Sequence, residues 1–132
     1  MEEAALLVTA LMFGGTTLYA FGFAAFVFKA LPAETAGTLI RRAFPHFYVF
    51  VIATSGLAAA ISATFDLRSC AILAAIMLTA LFARQVLMPA INSATDSGAK
   101  SRFKVLHGLS VVITLAHILA AAITLVLMTN PT

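Results

Sequence analysis

The run Phe103–Met128, FKVLHGLSVVITLAHILAAAITLVLM, decides the fold of this chain. Arg102 and Lys104 introduce it, and Val105–Met128 then contains no Asp, Glu, Lys or Arg. Its polar residues are ordered: His107, Ser110, Thr114 and His117 stand 3, 4 and 3 positions apart. At about 100° per residue these four share an arc of roughly 80°, so they form one seam on an otherwise apolar helix. A helix apolar nearly all round lies in lipid or in a core, and its polar seam is expected to face other protein.

Composition agrees with that reading. The 132 residues are 62% hydrophobic and 10% charged, with mean hydropathy +1.06. A soluble domain carries about 25% charged residues, so too few charges are present here to cover a water-facing surface. The chain therefore reads as one all-α membrane domain over 1–132, a four-helix bundle. Each span needs roughly 20 apolar residues, and four runs qualify, at about 4–28, 46–65, 69–88 and 105–128. The first lacks the basic start and short apolar core of a secretory signal and is expected to be a retained span.

Between the first two runs, Pro32-Ala33-Glu34 looks like a helix start, with an acid near the positive dipole end. A short interfacial helix over about 33–43 is expected, broken at Phe44-Pro45. Asp66-Leu67-Arg68 is a minimal turn that makes the second and third spans antiparallel neighbours. Asn92–Lys104 has the Ser/Asp/Gly composition of a solvated linker. Asn130-Pro131-Thr132 reads as a short tail.

Seven of the eight Lys and Arg fall in the loops after the first and third spans, and only Arg68 lies on the other side. The positive-inside rule then places those loops in the cytoplasm and both termini outside, as in a bacterial inner membrane protein. Basic residues placed this way are topology signals, and a nucleic-acid role is not expected. The single cysteine, Cys70, excludes an intramolecular disulfide and any multi-cysteine metal motif. The five acids (Glu2, Glu3, Glu34, Asp66, Asp96) lie at span ends or in loops, and no hydrolase, zincin or phosphate-loop motif occurs. Catalysis is not expected.

Depth along the helices defines the candidate site. His46, Arg84 and His107 should share one level near the loops. His117 lies about 15 Å deeper than His107, where an ionisable residue is costly and marks a functional candidate. Arg84 can snorkel to water, the more frequent outcome, or turn inward to a buried acceptor. The expected cluster comprises His107, Ser110, Arg84 and Asn92, with Tyr48. His107 and His46 could be axial ligands of a b-type haem. The seam from His107 through Ser110 and Thr114 to His117 could instead line a path for a proton, ion or small solute. Plain hydrogen bonding within the bundle is the simplest reading. Gly15 and Gly22, two turns apart, and Gly56, Ala60 and Thr64 permit close helix packing, within the chain or against a partner.

Several motifs also match a known family. They are Gly14-Gly15-Thr16, Phe28-Lys29-Ala30-Leu31-Pro32 with Ala36-Gly37, and Phe44-Pro45-His46-Phe47-Tyr48. Arg84-Gln85 with Met88-Pro89-Ala90-Ile91-Asn92 follows, then Phe103-Lys104-Val105-Leu106-His107-Gly108-Leu109-Ser110. Their order resembles the transmembrane protein 205-like family over nearly the whole chain. The resemblance implies a four-helix integral membrane protein whose bacterial members form a domain of unknown function, with no settled activity. It implies family positions at Gly15, Pro32, Gly37, Phe44, Pro45, Arg84, Pro89, Asn92, His107, Gly108 and Ser110. Thr114 stands where the family often has Asn, and His46 and His117 fall outside the pattern, which favours His107 among the histidines. The reading preferred from sequence is a non-enzymatic accessory subunit, held to another membrane protein or to a second copy. A small transporter or channel is the alternative, and a haem electron carrier the third.

Overall fold

A computed structural model describes residues 1–130; Pro131 and Thr132 of the expected tail lie outside the described residues. Four helices make up the chain: Glu2–Ala30, Ala33–Ser62, Leu67–Asp96 and Lys100–Thr129. Each of 29 or 30 residues is about 45 Å long at 1.5 Å per residue, beyond the ~30 Å hydrocarbon thickness. All four are long and apolar enough to cross a membrane. Consecutive helices pack on one another, and the fourth closes the ring against the first. The bundle thus runs up, down, up, down. One end carries both chain termini and the 63–66 turn; the other, here called the basic end, carries the two remaining loops.

The expected interfacial helix is absent as a separate element. Ala33 to Ser62 is continuous, with Pro45 inside it. Proline removes one N–H from the ladder, and a membrane helix tolerates this where neighbouring helices supply polar groups. The carbonyl left without its helix partner is that of Arg41; the neighbouring helices donate to the backbone beside it, Tyr19 Oη to the Ala43 carbonyl at 3.0 Å and Arg84 Nε to the Pro45 carbonyl at 3.3 Å.

The expected linker after Asn92 is also mostly helix. The third helix continues to Asp96 and stops at Gly98, whose φ is +68°. The Gly98 and Ala99 amides donate back to the Thr95 and Ala94 carbonyls at 3.2 and 2.9 Å. That is a Schellman stop, which needs one glycine in the left-handed region and no longer loop. The polar residues before it lie on exposed helix.

At the opposite end Asp66 caps the third helix. Its carboxylate accepts from the Arg68 and Ser69 amides at 3.0 and 3.2 Å and from Ser69 Oγ at 2.6 Å. These bonds, led by that from the Ser69 hydroxyl, hold the Asp66 pKa below the usual carboxylate value. The stabilisation is therefore complete above the unfolded-state pKa and disappears as pH falls through the lower folded-state value. Asp66→Ala is expected to cost about 1 kcal/mol at neutral pH, and the difference from the parent should vanish in strong acid. Thermal midpoints of both proteins by circular dichroism, taken at both pH values in the same detergent, check this.

The core is narrow. Met12, Phe47, Val51, Leu73, Ile76 and Ala80 are almost completely enclosed, and the outer faces carry exposed Leu7, Leu18, Phe26, Leu78, Val112 and Leu119. Glycines serve the interior at two points. A Cβ on Gly15 would lie 2.5 Å from Phe50 Cζ, and one on Gly56 would lie 2.9 Å from Met77 Sδ. The close approaches expected from small residues are thus used between the first and second helices and between the second and third. No neighbouring helix approaches Gly22, whose nearest atoms belong to Leu18 on its own helix.

Candidate functional site

Three irregularities fall at one level of the bundle. The first helix passes through a π-helical turn at Leu18–Phe23 and the third through another at Ala83–Leu87, while the second contains Pro45. Each lies about ten residues, roughly 15 Å, from the basic end of its helix. The hydrogen bonds from Tyr19 and Arg84 join all three. Aromatic rings fill the same layer. Phe47 lies 5.1 Å from Tyr19, 5.3 Å from Phe44 and 5.2 Å from Tyr48, centroid to centroid. Single-turn π segments inside helices occur often at functional sites because they redirect a face.

A redirected face is visible here. The fourth helix packs along the first over Glu2–Thr17, but beyond the π turn the segment Ala24–Ala30 has the second helix as its main neighbour. A partly open crevice of about 330 Å³ occupies the basic-end half of the bundle. Ala20, Phe21, Ala24 and Phe28 form one wall, and Val111 and Leu115 belong to the other. Ile40, Phe44, Met88 and Ile91 also line it. The volume stands at the small end of the range for ligand pockets.

Its polar groups come in two tiers. Arg41 and His107 line the crevice, and two turns further along the same two helices so do Tyr48 and Thr114. Seven residues correspond to about 10.5 Å of helix rise. Tyr48 is buried and interacts with the Thr114 hydroxyl, whereas the His107 ring is exposed and stacks on Phe103 at 5.4 Å. Ser110 lies between the tiers and donates to the carbonyl of His107 at 2.7 Å.

The seam therefore divides. His107, Ser110 and Thr114 open on the crevice with Tyr48, but His117 does not. His117 is buried, and its Nε2 lies 2.6 Å from Thr79 Oγ1 on the third helix. Thr79 Oγ1 also lies 2.8 Å from the Ala75 carbonyl oxygen. Both groups are satisfied when Thr79 donates to Ala75 and Nε2–H donates to Thr79, an assignment made from the network. Thr79→Val removes that acceptor and is expected to cost about 0.6 and at most about 1.7 kcal/mol, the range for hydrogen bonds between membrane helices. His117→Leu removes donor and desolvation cost together and should be closer to neutral. Thermal midpoints of the two variants in the same detergent test that ordering.

The remaining expected site residues lie elsewhere. Arg84 turns inward to the Pro45 carbonyl, as above, and its Nη1 donates to Gln85 Oε1 at 2.9 Å; it does not line the crevice. Asn92 is half-buried beside Ile91 and is not among the lining residues. His46 is exposed and is not among the residues that line the crevice. Among the described residues no group of three or more His, Cys, Asp or Glu forms a metal-binding cluster.

Sequence reasoning missed Arg41. Its Nη1 and Nη2 donate to the two carboxylate oxygens of Asp96 at 2.7 and 2.9 Å, joining the second and third helices at the crevice rim. The two residues are 55 positions apart. The Ser/Asp/Gly composition around Asp96 reads as a loop, which offers no helical register to pair them.

A family model described as Domain of unknown function (DUF4149) matches residues 7–100. The chain belongs to that family. The match includes the first three helices, with both π turns, Pro45, Arg41 and Asp96, and stops before the His107 motif. No curated protein and no solved structure matches the chain. The part of this DUF4149 protein that matches its family thus takes in the three helices that contribute most of the crevice-lining residues.

Proposed function

We propose that this DUF4149 protein is a non-enzymatic, membrane-embedded binding protein whose crevice receives the apolar part of a small molecule drawn from the bilayer. The separation of the first and fourth helices beyond the π turn carries this reading, because it leaves a largely apolar cavity within the bundle. A site that is mostly hydrophobic with a few convergent polar groups is the usual form of a small-molecule pocket. The positive-inside rule supports a cytoplasmic basic end, termini on the opposite side and an inner-membrane location. The similarity to the transmembrane protein 205-like family fits this arrangement, and the Phe103–Ser110 motif supplies His107 and Ser110 to the crevice wall.

The test is native mass spectrometry of the protein released from mild detergent. One small-molecule adduct per chain is expected in the parent and should be lost in Ala24→Phe, which fills the crevice from the first helix. A parent protein free of adduct after purification in its native lipids would sink the reading.

Association with another membrane protein is a second reading. It is supported by Gly14 and Gly108, which face outward on the first and fourth helices with nothing within 4 Å of a Cβ placed there, open positions where a partner helix could approach. Co-purification of a stoichiometric partner, lost in Gly108→Leu, would support it.

A further inference from the structure

We infer that the crevice holds one acyl chain of an anionic phospholipid, with the phosphate at Arg41 and His107. The inference rests on the crevice being a ligand site and adds which ligand it selects and how that ligand is oriented. Four observations lead to it.

The first is size. At ~30 Å³ per small group, the share of one water in the liquid, a 330 Å³ cavity has room for about ten chain carbons. The second is shape: the crevice lies where the first and fourth helices part, so it can open sideways to lipid. A chain can lie against Phe21, Ala24, Val111 and Leu115 without leaving the bilayer.

The third is the rim. Among the described residues that line the crevice, Arg41 is the one that is formally charged. A guanidinium has five N–H donors. Asp96 takes two of them, so three remain for a phosphate. His107 stands on the facing helix as the second rim group, with its ring held by Phe103. The fourth is the surrounding field. Lys29, Arg42, Lys100, Arg102 and Lys104 belong to the same end of the bundle, against Glu34 and Asp96. Clustered basic residues beside membrane helices attract anionic lipid.

Asp96 has a defined part in this arrangement. Its carboxylate competes with the phosphate for Arg41 and sets the affinity below what the bare guanidinium would give. Removing the carboxylate should therefore strengthen binding, an effect opposite in sign to that expected if the ion pair served only to hold two helices together.

The experiment reconstitutes the full chain into nanodiscs containing equal phosphatidylglycerol and phosphatidylcholine with identical chains. Retained lipid is then counted by native mass spectrometry after release. The parent is expected to keep one phosphatidylglycerol in preference to phosphatidylcholine by about fivefold, the effect of one basic residue at a membrane surface. Arg41→Gln should abolish the preference while keeping a bound lipid. Asp96→Asn should increase it, and Ala24→Phe should lose both lipids. Equal retention of the two lipids by the parent overturns the headgroup assignment and leaves the crevice as an unselective apolar site. A parent that retains neither lipid overturns this inference, and the proposed function falls with it if no other adduct is bound. A preference that Asp96→Asn lowers would overturn the competition at Arg41.

Discussion

Phe47→Ala is expected to lower the stability of the bundle by about 2 kcal/mol, read as the loss of midpoint in thermal or SDS unfolding. Phe47 is 2% exposed and meets the rings of Tyr19, Phe44 and Tyr48. In a soluble core the same truncation costs about 3–5 kcal/mol, part of it from returning apolar surface to water. That part is largely missing in a bilayer, where the surroundings of a separated helix are as apolar as the core. The packing contacts and the cavity remain as the cost. Phe26→Ala serves as the control, since Phe26 is 67% exposed and lipid replaces its contacts; a change within about 0.5 kcal/mol is expected. Equal losses at the two positions would mean that the aromatic layer does not hold the three irregular helices together.

Gly15→Leu is the second large effect, about 1–3 kcal/mol by overpacking. The first methylene added at Gly15 falls within 2.7 Å of two Phe50 ring atoms. Those atoms are the far edge of a side chain, so the ring can swing away for an alanine. A leucine occupies the whole space the ring needs. Phe50→Ala in the Gly15→Leu background should then restore most of the loss, a strong non-additivity that identifies the pair as one contact. Gly14→Leu, one residue earlier, meets nothing within 4 Å and should be nearly silent. A double variant no more stable than Gly15→Leu alone would show that the first and second helices are not spaced by this contact.

Composition and hydrophobic run length were enough to reveal four helices in a membrane, because lipid leaves an exposed backbone no alternative to the helix. The antiparallel order of the second and third spans followed from the shortness of their turn. Helix boundaries at the basic end were less legible. Pro45 and the Asn92–Lys104 composition are breakers in water, whereas here donors from Tyr19 and Arg84 reach the backbone around Pro45, and a single Gly98 stop replaces a long loop. Those contacts join segments 24 and 39 residues apart, beyond the reach of any local pattern.

The seam on the fourth helix was legible for the same reason that amphipathicity always is: 3.6-residue spacing places its members on one face. Which neighbour each member meets was not. Tertiary packing sends Thr114 to Tyr48, His117 to Thr79, and leaves His107 and Ser110 on a crevice. Sequence by itself determined that these residues share one face of a membrane helix, since spacing and polarity are local properties. Only the tertiary structure decided that the crevice is lined by His107 and not by His46, that Arg41 meets Asp96 and that a cavity opens between the first and fourth helices. Each of those depends on how separate helices pack side by side, which no local pattern of residues encodes.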